Sequence, residues 1–394
     1  MIKTEYDIVV VGGGPAGTTA ARHAAEQGVS VAVFHRNNEI GAPVRCAEGI
    51  SRFIIEKYLG KENIRDSWIS SESDKCRLIS PSGKIVDVHL KESGYILNRR
   101  IFDMDLADWA ARKGAQIFTG AFVYHVEKHE THALVFIEQY GKKYQVKAKL
   151  VIAADGVESR IARFFGVKTQ LRPCDIDSCA QVLATNIAMQ KDRIDFWVSQ
   201  KIAPGGYIWL FPKGDGIANI GIGISGQHNG EKNARQYLDE FLAVNFSEAS
   251  ILTNILGGVP VAEPLESFVA DGLMIIGDAA RVANPVTGEG IGPALSTGTR
   301  AGKVGGRAIL EKDTSAKFLK AFEKEWRRDS GKYNGFFYRL KEVILNISDE
   351  ELDRLAEKFA DRDPVSITLT EVFRKVVWNK PKLLVDVARA FAGF

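Results

Sequence analysis

The stretch YDIVVVGGGPAGTTAARHAAEQGVSVAVFHRN, Tyr6–Asn37, decides the fold. A short apolar run ends in a glycine cluster, an alanine-rich segment of helical length follows, and a second apolar run occupies Val29–Phe34. This is a strand, a helix and a strand, and a helical crossover makes the two strands parallel. Gly12, Gly14 and Gly17 fit G-x-G-x-x-G between the first strand and the helix. The first glycine allows the tight turn, the second lets the backbone approach a pyrophosphate, and the third lets helix and sheet pack closely. The helix start, around Ala16, then turns its unpaired N–H groups toward the anion.

An acidic residue expected about 20 positions later, to hold ribose hydroxyls, is missing. His35 stands in that place and Arg36 follows. A neutral imidazole still hydrogen-bonds a hydroxyl, whereas Arg36 as a clamp for a 2′-phosphate is the NADP alternative. A plain surface His-Arg pair is the third reading.

Farther along, GLMIIGDAARVANPVTGEGI (Gly272–Ile291) repeats the grammar: an apolar strand stops at Gly277-Asp278, and a glycine-rich helix start follows at Gly290-Ile291. A flavin dinucleotide uses such a pair, because its ribitol and ring extend across the sheet. A distant strand-end Asp accepts from hydroxyls, and a helix start offers its dipole to the ring edge that gathers charge on reduction. Asp278 therefore points to FAD, against the competing reading of a local helix cap.

Between these poles, NRRIFDMDLADWAARKGAQIFTG predicts a helix from about Arg100 to Lys113, and an alternating stretch predicts an antiparallel meander returning to a buried strand at Leu150–Ala153. From about Cys174 to Pro264 the pattern turns to antiparallel strands, and a charged helical tail runs to about Ala360. The expected fold is α/β: a Rossmann-like FAD unit (1–70, 99–172, 265–310), an inserted antiparallel-sheet substrate unit (71–98, 173–264) and a C-terminal helical region (311–394).

Composition narrows the classes. The 394 residues are 45% apolar and 26% charged, with 52 basic against 49 acidic residues, too balanced for a nucleic-acid footprint. The stretch Pro364–Phe394 carries the +3 excess and mixes aromatic with basic residues. That composition suits a lipid boundary, with a helical lid on the same protein as the competing reading. Four cysteines and no secretory leader fit a reducing, cytoplasmic setting, and no run is long enough to span a bilayer, so any membrane contact is expected to be peripheral. No metal-ligand spacing stands out among the histidines.

Three motifs, GGGPAG, AADGVESR (with Asp155-Gly156) and GDAARVANPVTGEG, resemble those of glutathione-reductase-type FAD flavoproteins related to p-hydroxybenzoate hydroxylase. Two more, EIGAPVRCAEGI and PGGYIWLFP, resemble the geranylgeranyl reductase family, of the archaeal digeranylgeranylglycerophospholipid reductase type. The resemblance implies FAD contacts from Cys46, Ala47 and Gly49, a thiol of Cys46 turned to the reacting centre, Arg100 or its neighbour Arg99 near the phosphates, and Val123 at the adenine. The usual arginine three residues after the serine of the middle motif is Ala162 here, flanked by Arg160 and Arg163.

Tyr207, Trp209 and Phe211 alternate, so a strand puts them on one face, and a turn at Lys213–Gly216 is expected to add Ile220 and Ile222 to it. Such a face is ordinarily core. The resemblance makes it a lipid-chain wall and implies an FAD-dependent reductase saturating geranylgeranyl chains of ether glycerophospholipids, with Cys46, Tyr207 and Trp209 at the reacting centre. An external reductant, NADPH or a ferredoxin-like iron–sulfur protein, is required, and no second nucleotide site is visible. An FAD/NAD(P)H aromatic hydroxylase of the same fold, or a flavin-containing lipid carrier without catalysis, are the alternatives.

Overall fold

The computed structural model describes residues 1–230, 232–359, 362–368, 371, 372, 374 and 375. Most of the stretch expected to form a lid or membrane contact, Pro364–Phe394, lies outside the described residues.

The opening unit folds as its pattern dictates. Strand β1 (Glu5–Val11), helix α1 (Pro15–Ala25) and strand β2 (Val31–Phe34) form a parallel pair with Ile8 opposite Val31 and Val11 opposite Phe34. Strand β1 lies inside the sheet between β2 and β9, and Ile8–Val11 are buried in unbroken succession because side chains pack on both faces of the sheet, so the run does not alternate. The rest of this region adds β3 (Gly49–Ser51), α2 (Arg52–Leu59), β4 (Ile69–Ile79), β5 (Ile85–Leu97), α3 (Arg99–Arg112) and β6 (Gln116–Phe118). Strand β6 lies parallel to β2. The meander β7 (Ala121–Lys128), β8 (Ala133–Gln139), β9 (Lys142–Ala153) then returns, and the end of β9 pairs parallel with β1, Ala153 opposite Val11.

The second sheet runs β14-β10-β13-β12-β11-β4-β5-β3, built from β10 (Ile176–Thr185), β11 (Arg193–Trp197), β12 (Tyr207–Gly214), β13 (Ile217–Ser225) and β14 (Ser250–Pro260) with the earlier β3 to β5. Gly49–Ser51, grouped by the sequence with the dinucleotide unit, thus pairs into this sheet. One face packs Val182, Leu210, Ile220 and Ile222 against α4 (Ala234–Asn245), opened by a capping box between Asn233 and Gln236.

Here one expectation is corrected. Ile222 pairs with Ile208 and Ile220 with Leu210, so both isoleucines lie on the α4 face and not beside the aromatic residues. A register shift between Pro212 and Gly214 sets this phase; a one-residue slip exchanges the faces. Gly223, Gly221 and Asn219 stand opposite Tyr207, Trp209 and Phe211 instead.

The chain returns to the first sheet through β15 (Val269–Ala270) and β16 (Leu273–Ile275), the latter parallel to β9. Helix α5 (Ile291–Leu310) follows and packs on α1 so closely that a Cβ on Gly298 would lie 2.5 Å from the Ala16 carbonyl oxygen. Helices α6 (Ala316–Trp326), α7 (Lys332–Ile344) and α8 (Asp349–Glu357) close the described chain. Ala356, Phe359 and Ile367 cover Cys76, Val86 and Val88 on the second sheet. Among the described residues no helix is long and apolar enough to cross a membrane.

Candidate active site

A cavity of about 280 Å³ opens where β1 turns into α1, lined also by the ends of β2 and β9 and the start of β7. Gly12 takes φ +112°, and a Cβ on it would lie 2.1 Å from the Ala154 carbonyl oxygen, so only glycine fits this turn. Gly14, by contrast, has no protein atom within 4 Å of its Cβ position: its bare backbone faces the cavity. No side chain caps α1, which leaves its first N–H groups for an anion. Ala16 and Gly17 are buried in that first turn.

His35 Nδ1 accepts the Gly13 N–H at 3.1 Å, and burial lowers the imidazole's proton affinity, so the ring is neutral with its proton on Nε2. That Nε2 is buried without a partner, and His35 lines the cavity. Asp155 repeats the arrangement: Oδ2 accepts the N–H groups of Arg160 and Ile161, while Oδ1 is buried and unpartnered. Two orphaned polar atoms at one cavity mark groups aimed at a polar ligand. A buried donor, a buried acceptor and a bare helix start fit the hydroxyls and pyrophosphate of a dinucleotide.

Arg36 is half-exposed and ion-paired with Glu158 at 2.7 Å on the cavity rim. Val123 lines the cavity. The neighbouring arginines divide: Arg99 lines it, whereas Arg100 is 60% exposed and pairs with Glu39 at 2.8 Å. Of these two, Arg99 is the one that the structure brings to the cavity.

Farther across the sheet, the Gly277 N–H donates to Thr297 Oγ1 at 3.1 Å and turns the chain into a short 3₁₀ turn. The Asp278 carboxyl caps nothing and makes no hydrogen bond among the described residues; burial pushes it up to about 6, against the lowering effect of Arg99. Gly290 caps α5, and a Cβ on it would lie 3.3 Å from Asp278 Oδ1. Glu289 Oε1 accepts the Gly292 N–H at 2.7 Å, and burial, reinforced by Asp278, pushes this carboxyl up to about 7.

Between these two poles runs the Cys46–Gly49 segment, held by residues that its sequence does not announce. Buried Glu48, at φ +74°, accepts the Arg99 N–H at 2.8 Å through Oε1 and the Asn219 amide at 2.6 Å through Oε2. Lys213 Nζ stands 2.7 Å from the same Oε2. Arg99 in turn forms a two-pronged pair with Asp103 at 2.7 and 2.8 Å. The Cys46 thiol accepts the Glu48 N–H at 3.2 Å, and burial pushes it up, opposed by Arg99, so it keeps its proton. The Cys46 carbonyl accepts from Gln181 Nε2 at 3.0 Å, and Gln181 Oε1 accepts the Trp209 indole N–H at 3.2 Å.

That last bond ties the segment to the aromatic face. Trp209 and Phe211 are buried with Ile96, and Ala47, Cys179, Phe196 and Tyr207 pack against them. Phe196 meets Tyr207 and Phe211 edge-on at 5.5 and 5.6 Å. Gly221 makes room for the indole, since a Cβ there would lie 2.3 Å from the Trp209 ring. The Tyr207 hydroxyl donates to the Thr287 carbonyl at 2.6 Å, linking the wall to the loop before α5. Tyr207 is thus tied to the loop before α5, and Trp209, through Gln181, to the Cys46–Gly49 segment.

Residues 175–259 match the model of the geranylgeranyl reductase catalytic domain, and residues 7–193 match that of FAD-dependent oxidoreductases. A digeranylgeranylglycerophospholipid reductase of Methanococcoides burtonii is 38% identical, covering 100% of this chain and 98% of its own length. The chain belongs to the geranylgeranyl reductase family. A second relative, from Methanocella arvoryzae and of the same name, is 38% identical over 98% of this chain and 99% of its own. The crystal structure of a geranylgeranyl bacteriochlorophyll reductase-like protein from Thermoplasma acidophilum superposes with a TM-score of 0.89 at 33% identity, covering 98% of this chain and 99% of that one. This geranylgeranyl reductase family member is an FAD-dependent oxidoreductase, which agrees with the α/β architecture and the donor set of its cavity.

Proposed function

We propose that this reductase saturates the double bonds of geranylgeranyl chains on archaeal-type ether glycerophospholipids. The observation that carries the reading is the Trp209–Gln181–Cys46 chain of hydrogen bonds, which fixes an apolar aromatic wall against the family's cofactor-contacting segment. The names of the full-length relatives support the lipid class.

In this reading the first sheet holds FAD. Gly12, Gly14, Ala16 and Gly17 receive the pyrophosphate, His35 Nε2 donates to an adenosine ribose hydroxyl, and Val123 abuts the adenine. Asp155 and Arg99 complete the phosphate end, with Arg36 and Glu158 at the rim. Gly277 and Asp278 take the ribitol, whose hydroxyls donate to the unpartnered carboxyl, and Gly290 and Ile291 receive the ring edge. When bound and reduced, FAD supplies the hydride equivalent that an alkene needs.

The protein supplies the rest. An isolated alkene has no carbonyl to take up charge, so proton delivery must assist, and a dry, electron-rich pocket favours the transient positive character. Tyr207, Trp209 and Phe211 provide such faces and exclude water. The Cys46 thiol, kept protonated by burial, is the proton donor that this reading assigns. Electrons come from an external donor, NADPH or a ferredoxin-like protein, and the substrate's residence in the bilayer calls for peripheral membrane contact. Incubation of the reduced protein with digeranylgeranyl glycerophospholipid under anaerobic conditions tests the proposal. The mass spectrum is expected to show one hydrogen pair gained per bond saturated; lipid of unchanged mass contradicts it.

A further inference from the structure

We infer that Glu289 exchanges a proton with solvent as the bound flavin gains and loses electrons, so that reduction of this protein takes up one proton more than the ring itself requires. The inference rests on the FAD reading above. A bare helix start ordinarily offers its partial positive charge to the electron-rich ring edge. At α5 that charge is already answered within the chain, because Glu289 Oε1 holds the Gly292 N–H at 2.7 Å.

A second carboxyl stands alongside. The Asp278 carboxyl makes no hydrogen bond among the described residues, and a Cβ on the intervening Gly290 would lie 3.3 Å from its Oδ1. Among the described residues no cation acts on Glu289. From α3, Arg99 acts on Asp278 and Cys46 but is engaged by Asp103; from the segment before β3 comes a protonated thiol; from β12 comes the Tyr207 hydroxyl, already bound to the Thr287 carbonyl. From α2 the apolar Ile54 packs beside Gly292. Negative charge arriving at this helix start therefore meets two acidic side chains and, among the described residues, no free counter-charge. The relief open to the site is protonation of Glu289, whose carboxyl burial already pushes up to about 7.

A low-potential donor, a reduced nicotinamide or an iron–sulfur protein, gives two electrons; the ring takes one proton and the Glu289 carboxylate a second. When the electron pair and a ring hydrogen leave for the alkene, Glu289 returns its proton to solvent past Thr287, which is exposed. Above neutral pH the carboxylate thus makes the flavin a stronger reductant.

The test is a dye-equilibrated reductive titration of the FAD-loaded full chain with dithionite, across pH values from about 6 to about 9, for the parent and Glu289→Gln. Above neutrality the parent's potential is expected to fall with pH more steeply than the variant's by one proton per two electrons, about 30 mV per pH unit, with the variant's potential the higher. Equal slopes overturn the inference. Should Glu289→Gln fail to fold, the parent alone decides: no steepening above neutrality overturns it. A chain that binds FAD and saturates lipid without the extra slope defeats only this inference, whereas a colourless chain defeats the FAD reading along with it.

Discussion

Lys213 and Glu48 meet at 2.7 Å beneath the Cys46–Gly49 segment, their side chains only 12% and 5% exposed. The pair joins the second sheet to the Cys46–Gly49 loop, and Asn219 and the Arg99 N–H complete the carboxylate's partners. Removing one member of a buried pair leaves the other uncompensated. Glu48→Ala is expected to cost about 3–5 kcal/mol of stability, read from chemical denaturation, with loss of bound flavin. A cost within the range of surface substitutions contradicts a structural role for the pair.

Gly12 and Gly14 predict opposite phenotypes. Gly12→Ala places its methyl 2.1 Å from a backbone oxygen and is expected to unfold the turn, lowering the melting temperature. Gly14→Ala meets no protein atom within 4 Å, so the fold is expected to survive. Its methyl projects into the cavity where the proposed reading seats the pyrophosphate, and FAD affinity is expected to fall about tenfold or more, about 1.4 kcal/mol. Fluorescence titration of the apoprotein with FAD measures the difference.

Much of this was legible in the sequence, for local reasons. The βαβ unit, Asp278 and the start of α5 are announced by glycines at strand ends, and each is a nearest-neighbour signal. Long-range register is not. Ile220 and Ile222 fell on the wrong face because a bulge near Pro212 shifts the pairing by one residue in a structure of period two. Arg99 and Arg100 are adjacent on a helix, so choosing between them needs the helix's rotational phase, which tertiary packing sets. Glu48 meets Lys213 and Asn219, and Cys46 meets Gln181, across more than a hundred residues of sequence, and no spacing foretells it. Helix α4 was missed although its Asn233–Gln236 capping box is a readable start signal.

The Cys46 thiol is held protonated by burial, so its alkylation by iodoacetamide is expected to be slow at neutral pH and to rise only above the ordinary thiol range. Fast labelling at neutral pH, assigned to Cys46 by peptide mass, contradicts the buried setting. Cys46→Ser is expected to lower lipid turnover while leaving the flavin spectrum intact; unchanged turnover removes the thiol from the mechanism.

Asp278 predicts a pH signature in the apoprotein. Its folded-state value, about 6, lies above the ordinary 3.8, so the folded chain holds a proton that the unfolded chain has lost. The associated stability is present in full below the lower value and is lost as pH rises through the upper one. Asp278→Asn removes that loss, and its stability advantage over the parent is expected to grow between about pH 4 and about pH 6. An advantage independent of pH, measured by urea denaturation, is the contrary result.

The central claim is that one FAD lies along the first sheet with its reactive edge open to the wall of Tyr207, Trp209 and Phe211. Rapid anaerobic mixing of the reduced holoprotein with a geranylgeranyl glycerophospholipid, followed by flavin absorbance, tests it most directly. Reoxidation is expected with the unsaturated lipid and not with its fully saturated counterpart, with one hydrogen pair appearing in lipid for each flavin reoxidised. A flavin that stays reduced beside the unsaturated lipid contradicts the account.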